Sequence, residues 1–268
     1  MWNLPKPDLN DSIDDLKKIV GHPKTFEDKH RPSVETLYHQ YDAQKGMVTK
    51  NQHEAVEEKA RDAIYGAYKQ TSRNAIHGPI KQAILAASNK CPMCAVGNAN
   101  TLDHFFEKSK YKALSMMRQN MVPMCRDCNS FREYNKVEPS DFIHAYYDIL
   151  PTDVQWLKVR ITYASGAISA IFYPDNSVLT DLILFHKISK TIDGIEFNAT
   201  IGKELHSFMS STLSGNVGSD MALRILIMDK AAGHQRNPAF GLNHWKTVLL
   251  TELASNTTLT RAHLQLYL

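Results

Sequence analysis

The four cysteines of this 268-residue chain form two C-x2-C pairs, and thirty residues separate the pairs. Two chelating pairs supply four thiolates for a tetrahedral metal site, and four sulfur ligands leave no open position for a reacting water. The pattern therefore predicts a closed, structural zinc site. Its predicted ligands are Cys91, Cys94, Cys125 and Cys128.

Two other uses of four thiols stay open at this point. Disulfides would require an oxidising compartment, whereas the N-terminal sequence MWNLPKPDLNDS has prolines and acids where a signal peptide has a charged start and an apolar run. An iron–sulfur cluster can use the same ligands. Because no apolar run approaches the ~18 residues of a membrane span, the sequence favours a cytoplasmic protein that does not bind membranes.

The spacer between the cysteine pairs is longer than the ~15 to 20 residues of a simple two-knuckle ribbon, so it must contain folded structure. It begins with Asp103-His104, and Asn120 precedes the run MVPM that leads into the second pair. Asn129 directly follows the last cysteine. This order predicts a strand, a loop, a second strand and a helix.

The run LDHF, followed by NMVPMCRDCN, resembles the HNH nucleases, whose ββα-metal finger here would carry a zinc knuckle on each side. The resemblance covers residues 91–136. The general layout also resembles, more weakly, the HNH subunits of bacterial phage-defence systems of the Septu type, which work with an ATPase partner. That second resemblance rests on the finger and the chain length alone.

The HNH resemblance implies a role for each motif residue. His104 matches the general base, and Asp103 matches a ligand of the catalytic divalent ion. Asn120 matches the asparagine that fixes the loop and orients the base. Asn129 matches the second ligand of the ion, at a position where many members have histidine. Carboxylate and amide oxygens are hard ligands, so magnesium or manganese is expected there.

Basic residues are concentrated in the same segment. From His104 to Lys136 there are seven Lys and Arg against three acids, a local excess of four, whereas the whole chain has a net charge of +3. We expect Lys108, Lys110 and Arg132 to contact flanking phosphates without reading sequence. For each residue alone, solvent-facing surface charge is an equally good interpretation.

The flanking segments predict a mostly helical body. Apolar periodicity indicates helices from Asn51 through the stretch EAVEEKARDAIYGAYKQ and over residues 79–88. Alternation from Leu157 to Phe172, with a turn at Ser165-Gly166, predicts a β-hairpin. Residues 1–50 are polar and mixed, which predicts a segment that wraps a neighbour and contributes little core. Further helices are expected over 175–188, 201–213, 219–232, 241–254 and 259–268.

The resulting expectation is an α+β fold, a mostly helical body with an inserted ββα-metal finger and a C-terminal hairpin plus helices. We divide it into an N-terminal helical region (1–90), the finger (91–136) and a C-terminal region that binds a target or partner (137–268).

Three functions stay open. The first is a metal-dependent endonuclease that hydrolyses DNA to 5′-phosphate and 3′-hydroxyl ends, in phage defence, with a protein partner such as a defence-system ATPase. The second is the same enzyme acting on RNA, including tRNA. The third is an inactive, zinc-stabilised module that binds nucleic acid or protein. No Walker-type phosphate loop occurs, which argues against an intrinsic ATPase.

Overall fold

Helices dominate the chain, and two short antiparallel hairpins interrupt them. This computed structural model describes residues 1–21, 26–72, 74–214, 217–237 and 241–268. None of the helices in these ranges is both long and apolar enough to cross a membrane. The predicted α+β class is confirmed. The strands are β1 (Thr101–His104), β2 (Met121–Met124), β3 (Leu157–Ala164) and β4 (Ala167–Pro174).

Ten α-helices lie within the described ranges, together with several short 3-10 helices. The α-helices are α1 (Leu9–Ile19), α2 (Arg31–Ala43), α3 (Lys50–Glu54), α4 (Glu58–Tyr68), α5 (Gly78–Leu85), α6 (Arg126–Tyr134), α7 (Leu182–Gly194), α8 (Phe197–Leu213), α9 (Asp220–Arg236) and α10 (Trp245–Ser255).

The first hairpin pairs β1 with β2 in antiparallel register, from Thr101 opposite Met124 to His104 opposite Met121. Helix α6 follows β2 directly, with Cys125 as its N-cap residue. The predicted order of strand, loop, strand and helix between and after the cysteine pairs is therefore confirmed. The loop between the strands contains two 3-10 helices, Lys112–Leu114 and Arg118–Asn120.

The second hairpin, β3 with β4, is also confirmed. Its two turn residues, Ser165 and Gly166, have φ angles of 52° and 76°. Two left-handed residues in a two-residue loop match the turn whose twist suits a right-handed hairpin. Along the strands, Leu157, Val159 and Phe172 are buried, whereas Arg160 is exposed.

The expectation that residues 1–50 contribute little core was wrong. Leu16 and Ile19 of α1 are completely buried, as are Tyr38 and Tyr41 of α2. The segment looks polar partly because some of its buried residues are polar themselves. One example is Asp15, which is buried and accepts hydrogen bonds from a guanidinium of the loop between β1 and β2.

Two helix boundaries also differ from the prediction. The helix expected from residue 175 begins at Leu182, because the Asp181 side chain accepts the N–H groups of Ile183 and Leu184. The Asp175 carboxylate instead accepts the N–H of Ser177 in a turn. The helix expected from Asn51 is two helices, α3 and α4, with buried Val56 between them.

The other predicted helices are present with shifted ends. The helix expected over 79–88 is α5, and those expected over 201–213, 219–232 and 241–254 are α8, α9 and α10. The last segment, Arg261–Tyr267, is a 3-10 helix instead of an α-helix. One contiguous cluster of buried apolar side chains includes residues from 1–90, 91–136 and 137–268.

Helix α3 holds the loop between β1 and β2 through a histidine. The backbone N–H of Ala113 donates to Nε2 of His53 at 3.2 Å, so this ring nitrogen carries no proton. The His53 side chain is buried against Tyr111. Burial lowers the pKa of His53 from 6.5 to about 4.

This lowered pKa makes stability depend on pH. The unfolded chain binds a proton at His53 below pH 6.5, whereas the folded chain does so only near pH 4. The contribution of neutral His53 is therefore complete above pH 6.5 and is lost as the pH falls. Between pH 6.5 and 4, the free energy of unfolding of the parent, measured in urea, should fall by roughly 1 to 3 kcal/mol more than that of the His53→Gln variant. The glutamine side chain can accept the same N–H but does not titrate. Equal pH dependence in the two proteins would contradict this.

Candidate metal centre and the His104 site

The two cysteine pairs come together as one buried cluster. The sulfur atoms of Cys91, Cys94, Cys125 and Cys128 all lie within 4.8 Å of one another. The Sγ atoms of Cys94 and Cys125 are 3.8 Å apart. Ligand sulfurs about 2.3 Å from a tetrahedral zinc ion are separated by about 3.8 Å, so this cluster fits a zinc ion. Burial raises the pKa of the Cys91 thiol, which a bound cation would offset.

The backbone around the first pair is shaped for this cluster. The N–H of Val96 donates to Cys94 Sγ at 3.4 Å, and Ala95 adopts a left-handed φ of 63°. Gly97 accepts a hydrogen bond from the N–H of Cys91 through its carbonyl. A Cβ atom on Gly97 would lie 2.6 Å from Cys125 Cβ. Only glycine lets the two knuckles approach this closely.

Gly97→Ala should therefore push the two cysteine pairs apart. We expect lower zinc content after purification and a loss of about 1 to 3 kcal/mol in the free energy of unfolding, since the clash falls on a metal ligand. Zinc can be measured by elemental analysis and stability by urea unfolding.

Gly202→Ala is the matched control, because a Cβ at this position of α8 meets nothing within 4 Å. In a helix interior this exchange should stabilise the protein by roughly 0.5 to 1 kcal/mol. A Gly97→Ala protein with full zinc content and parental stability would contradict the packing argument.

Helix α6 is joined to β1 by a buried arginine. The Arg132 guanidinium forms an ion pair with Asp103 Oδ2 and donates to the carbonyls of His104 and Phe105, at 3.1 and 2.7 Å. It also packs on the ring of Phe142 at 4.4 Å. Arg132 is 6% exposed. Arg132 is therefore buried, whereas a contact to flanking phosphates needs a side chain at the surface.

Removing the guanidinium should be costly, because it leaves the Asp103 carboxylate buried without a countercharge. We expect Arg132→Met to lose about 3 to 5 kcal/mol in the free energy of unfolding. The double variant with Asp103→Asn should recover part of that loss, since a neutral amide needs no counterion. A loss below about 1 kcal/mol in the single variant would contradict this role.

His104, the last residue of β1, has its two ring nitrogens in different surroundings. Nε2 lies 3.1 Å from the carbonyl oxygen of Ser115, so Nε2 carries the proton and donates. Nδ1 then has a lone pair, and it is buried with no hydrogen-bond partner among the described residues. Burial lowers the pKa of His104 to about 3, so the ring is neutral. The Nδ1 lone pair is where this ring would accept a proton, and burial makes that protonation less favourable than for an imidazole in water.

Asn120 fixes the loop that surrounds this histidine. Its Oδ1 accepts the N–H of Phe106 at 2.8 Å, and its Nδ2 donates to the carbonyls of Phe106 and Leu114. The side chain is fully buried. Asn120 therefore joins Phe106 to Leu114, the two ends of one loop segment. Ser115, the residue after Leu114, supplies the carbonyl that orients His104.

Asn129, in the first turn of α6, lies over the same face of β1 as Arg132. Its Nδ2 donates to Thr101 Oγ1 and to the Leu102 carbonyl, at 3.3 and 3.4 Å. Neither Asn129 Oδ1 nor Asp103 Oδ1 has a hydrogen-bond partner in the part of the chain described. Carboxylate and amide oxygens are the ligand types that hard divalent cations prefer, and a magnesium or manganese ion at these two residues stays a prediction.

The two predicted phosphate contacts on the loop differ from each other. Lys110 forms an exposed ion pair with Glu107 at 2.8 Å. Lys108 forms no ion pair with a carboxylate of the described residues, and its Nζ lies 5.8 Å from the centre of the Tyr68 ring. Lys108 therefore has the more available charge, and phosphate contact stays a prediction for both.

Tyr68 of α4 is the site residue that the sequence pattern missed. Its ring packs nearly perpendicular to that of His104, with the centroids 4.6 Å apart. Burial, and secondarily the charge of Asp103, raises the Tyr68 pKa. No spacing motif links Tyr68 to a histidine thirty-six positions away.

Comparisons with known proteins add one relative. Protein ea31 of Escherichia phage lambda is 33% identical over 96 residues, which cover 34% of this chain and 31% of the phage protein. The match thus spans about a third of that relative's length. No family model and no solved structure matches the chain.

Proposed function

We propose that this chain is a metal-dependent HNH endonuclease that hydrolyses phosphodiester bonds, with DNA as its substrate. The observation that carries the proposal is the state of His104. Its Nε2 donates to the Ser115 carbonyl, whereas Nδ1 has no hydrogen-bond partner in the described part of the chain. A histidine that only stabilises a core normally has both nitrogens satisfied.

The surroundings of His104 support the same proposal. The strand, strand and helix order of β1, β2 and α6 places Asp103 and Asn129 on one side of β1. Asn120 holds the intervening loop. These are the positions that the HNH resemblance assigns to the cation ligands and to the asparagine that orients the base.

The expected reaction is attack of water on phosphorus. His104 Nδ1 accepts a proton from the water as the new P–O bond forms, and the hydrogen bond from Nε2 to Ser115 stabilises the resulting imidazolium. The bond from phosphorus to the 3′ oxygen breaks, and that oxygen takes up a proton. The products are a 5′-phosphate and a 3′-hydroxyl.

Asp103 and Asn129 would hold a magnesium or manganese ion through their Oδ1 atoms. When bound, such a cation neutralises charge on the phosphate and the leaving oxygen. Arg132 keeps the Asp103 carboxylate in place by holding Oδ2. Zinc, in this proposal, occupies the four-cysteine cluster and has only a structural role. A role in phage defence and an ATPase partner remain predictions from the weaker Septu resemblance.

His104→Ala should abolish cleavage and keep zinc content near that of the parent, because His104 is not one of the four cysteine ligands. It should lower the free energy of unfolding by about 1 to 3 kcal/mol, because the ring is buried and its Nε2 donates to the Ser115 carbonyl. The measurement incubates both proteins with plasmid, single-stranded DNA and total RNA, each with magnesium and with manganese. His186→Ala is the control, since His186 is half exposed and pairs with Asp141 far from β1 in sequence. It should cleave like the parent.

Cleavage that survives His104→Ala would overturn the proposal. Cleavage of RNA alone would change the substrate to RNA. Tight nucleic-acid binding with no cleavage under any condition would favour an inactive binding module. Cys125→Ser should behave differently from His104→Ala, with zinc and stability lost together.

A further inference from the structure

One side of α4 carries aromatic and basic residues that lead toward His104. Arg61, Tyr65, Tyr68 and Lys69 follow the spacing i, i+4, i+7 and i+8, which places them along one face of a helix. The first three are half buried and Lys69 is exposed. These four residues, together with Lys108 of the neighbouring loop, are called the α4 strip below.

Each tyrosine of the α4 strip has a lysine over its ring. Lys69 Nζ lies 4.5 Å from the centre of the Tyr65 ring, and Lys108 Nζ lies 5.8 Å from that of Tyr68. Aromatic rings beside cations are the combination that binds single-stranded nucleic acid, since bases stack on the rings and phosphates pair with the cations.

The described part of the chain offers the cations of the α4 strip no carboxylate partner. Among the described residues, neither Arg61, Lys69 nor Lys108 forms an ion pair with a carboxylate, and Arg61 Nε is buried without a hydrogen-bond partner. Neighbouring lysines are paired, Lys59 with Glu27 and Lys112 with Asp62. Lys69 and Lys108 therefore hold charges without a carboxylate partner among the described residues, and these charges lie beside the two tyrosine rings.

The α4 strip ends at the proposed base. The Tyr68 ring is 4.6 Å from the His104 ring, at an interplanar angle of 87°. A base stacked near Tyr65 would thus lie about one helical turn from the phosphate beside His104. In a duplex, bases stack on one another and expose only their edges in the grooves, so they cannot stack on these rings.

We propose that the α4 strip binds the unpaired nucleotides next to the scissile phosphate, and that the substrate is a single strand or an unpaired region. This inference rests on the proposed nuclease function and names its substrate class. Tyr65 provides the stacking surface farther from the reaction, and Lys69 and Lys108 hold flanking phosphates.

The test measures binding by fluorescence anisotropy in the His104→Ala background, which prevents cleavage. The probes are a labelled oligothymidylate, the same strand paired with oligodeoxyadenylate, and a labelled oligouridylate. Tyr65→Ala is compared with Tyr65→Phe, which keeps the ring. The matched control is Tyr173→Ala, because Tyr173 of the second hairpin also has a cation, Arg160, over its ring at 5.8 Å.

Single strands should bind more tightly than the duplex. Tyr65→Ala should weaken single-strand binding about tenfold or more, whereas Tyr65→Phe and Tyr173→Ala should change it little. Lys69→Gln removes an exposed charge with little effect on folding, and it should lower the slope of log K against log salt by about 0.7. This second variant keeps the test valid if Tyr65→Ala folds poorly.

The inference would be overturned if Tyr65→Ala or Lys69→Gln bound single strands as tightly as the parent does. It would also be overturned if the protein bound the duplex as tightly as the single strand. If the wild type then cleaved and His104→Ala did not, the nuclease proposal would still be supported. Conversely, binding that depends on Tyr65, in a protein whose wild type cleaves nothing, supports the α4 strip and rejects the nuclease proposal.

Discussion

Four buried thiols within 4.8 Å of one another hold together the two ends of the segment between the cysteine pairs. The first pair precedes β1, and the second joins β2 to α6. Buried thiolates are stable only beside a cation, so a zinc ion bound by this cluster would couple metal binding to the folding of this unit. The close approach at Gly97 shows how little space separates the two knuckles. With both pairs held, α6 lies across β1, and Arg132 can reach Asp103.

The polar site at the end of β1 depends on contacts from two directions. From α6, Arg132 and Asn129 hold one face of the strand. From the loop, the Ser115 carbonyl orients the ring of His104, and Asn120 holds the neighbouring loop residue Leu114. Helices that precede the first cysteine pair complete the arrangement, since His53 accepts a loop N–H and Tyr68 covers the histidine ring. The N-terminal region is therefore part of the site.

Local patterns in the sequence predicted much of this structure. The cysteine spacing, the strand and helix order around it, and the Ser165-Gly166 hairpin follow from chemistry within a few residues, and all are present. Contacts across the fold could not be predicted in the same way. Arg132 looked like surface charge because its partner Asp103 is twenty-nine positions away. Asp15 adds to the polar appearance of residues 1–50 in the same way, since its partner Arg118 is 103 positions away.

In the reaction that we propose, water activated by His104 attacks a phosphodiester bond beside a cation held by Asp103 and Asn129. The most direct test is cleavage of an oligonucleotide in oxygen-18 water with magnesium or manganese, followed by mass spectrometry of the product ends. We expect one oxygen-18 atom in a new 5′-phosphate and none in the 3′-hydroxyl fragment. A 3′-phosphate or cyclic phosphate, or a 5′-phosphate without the label, would contradict it.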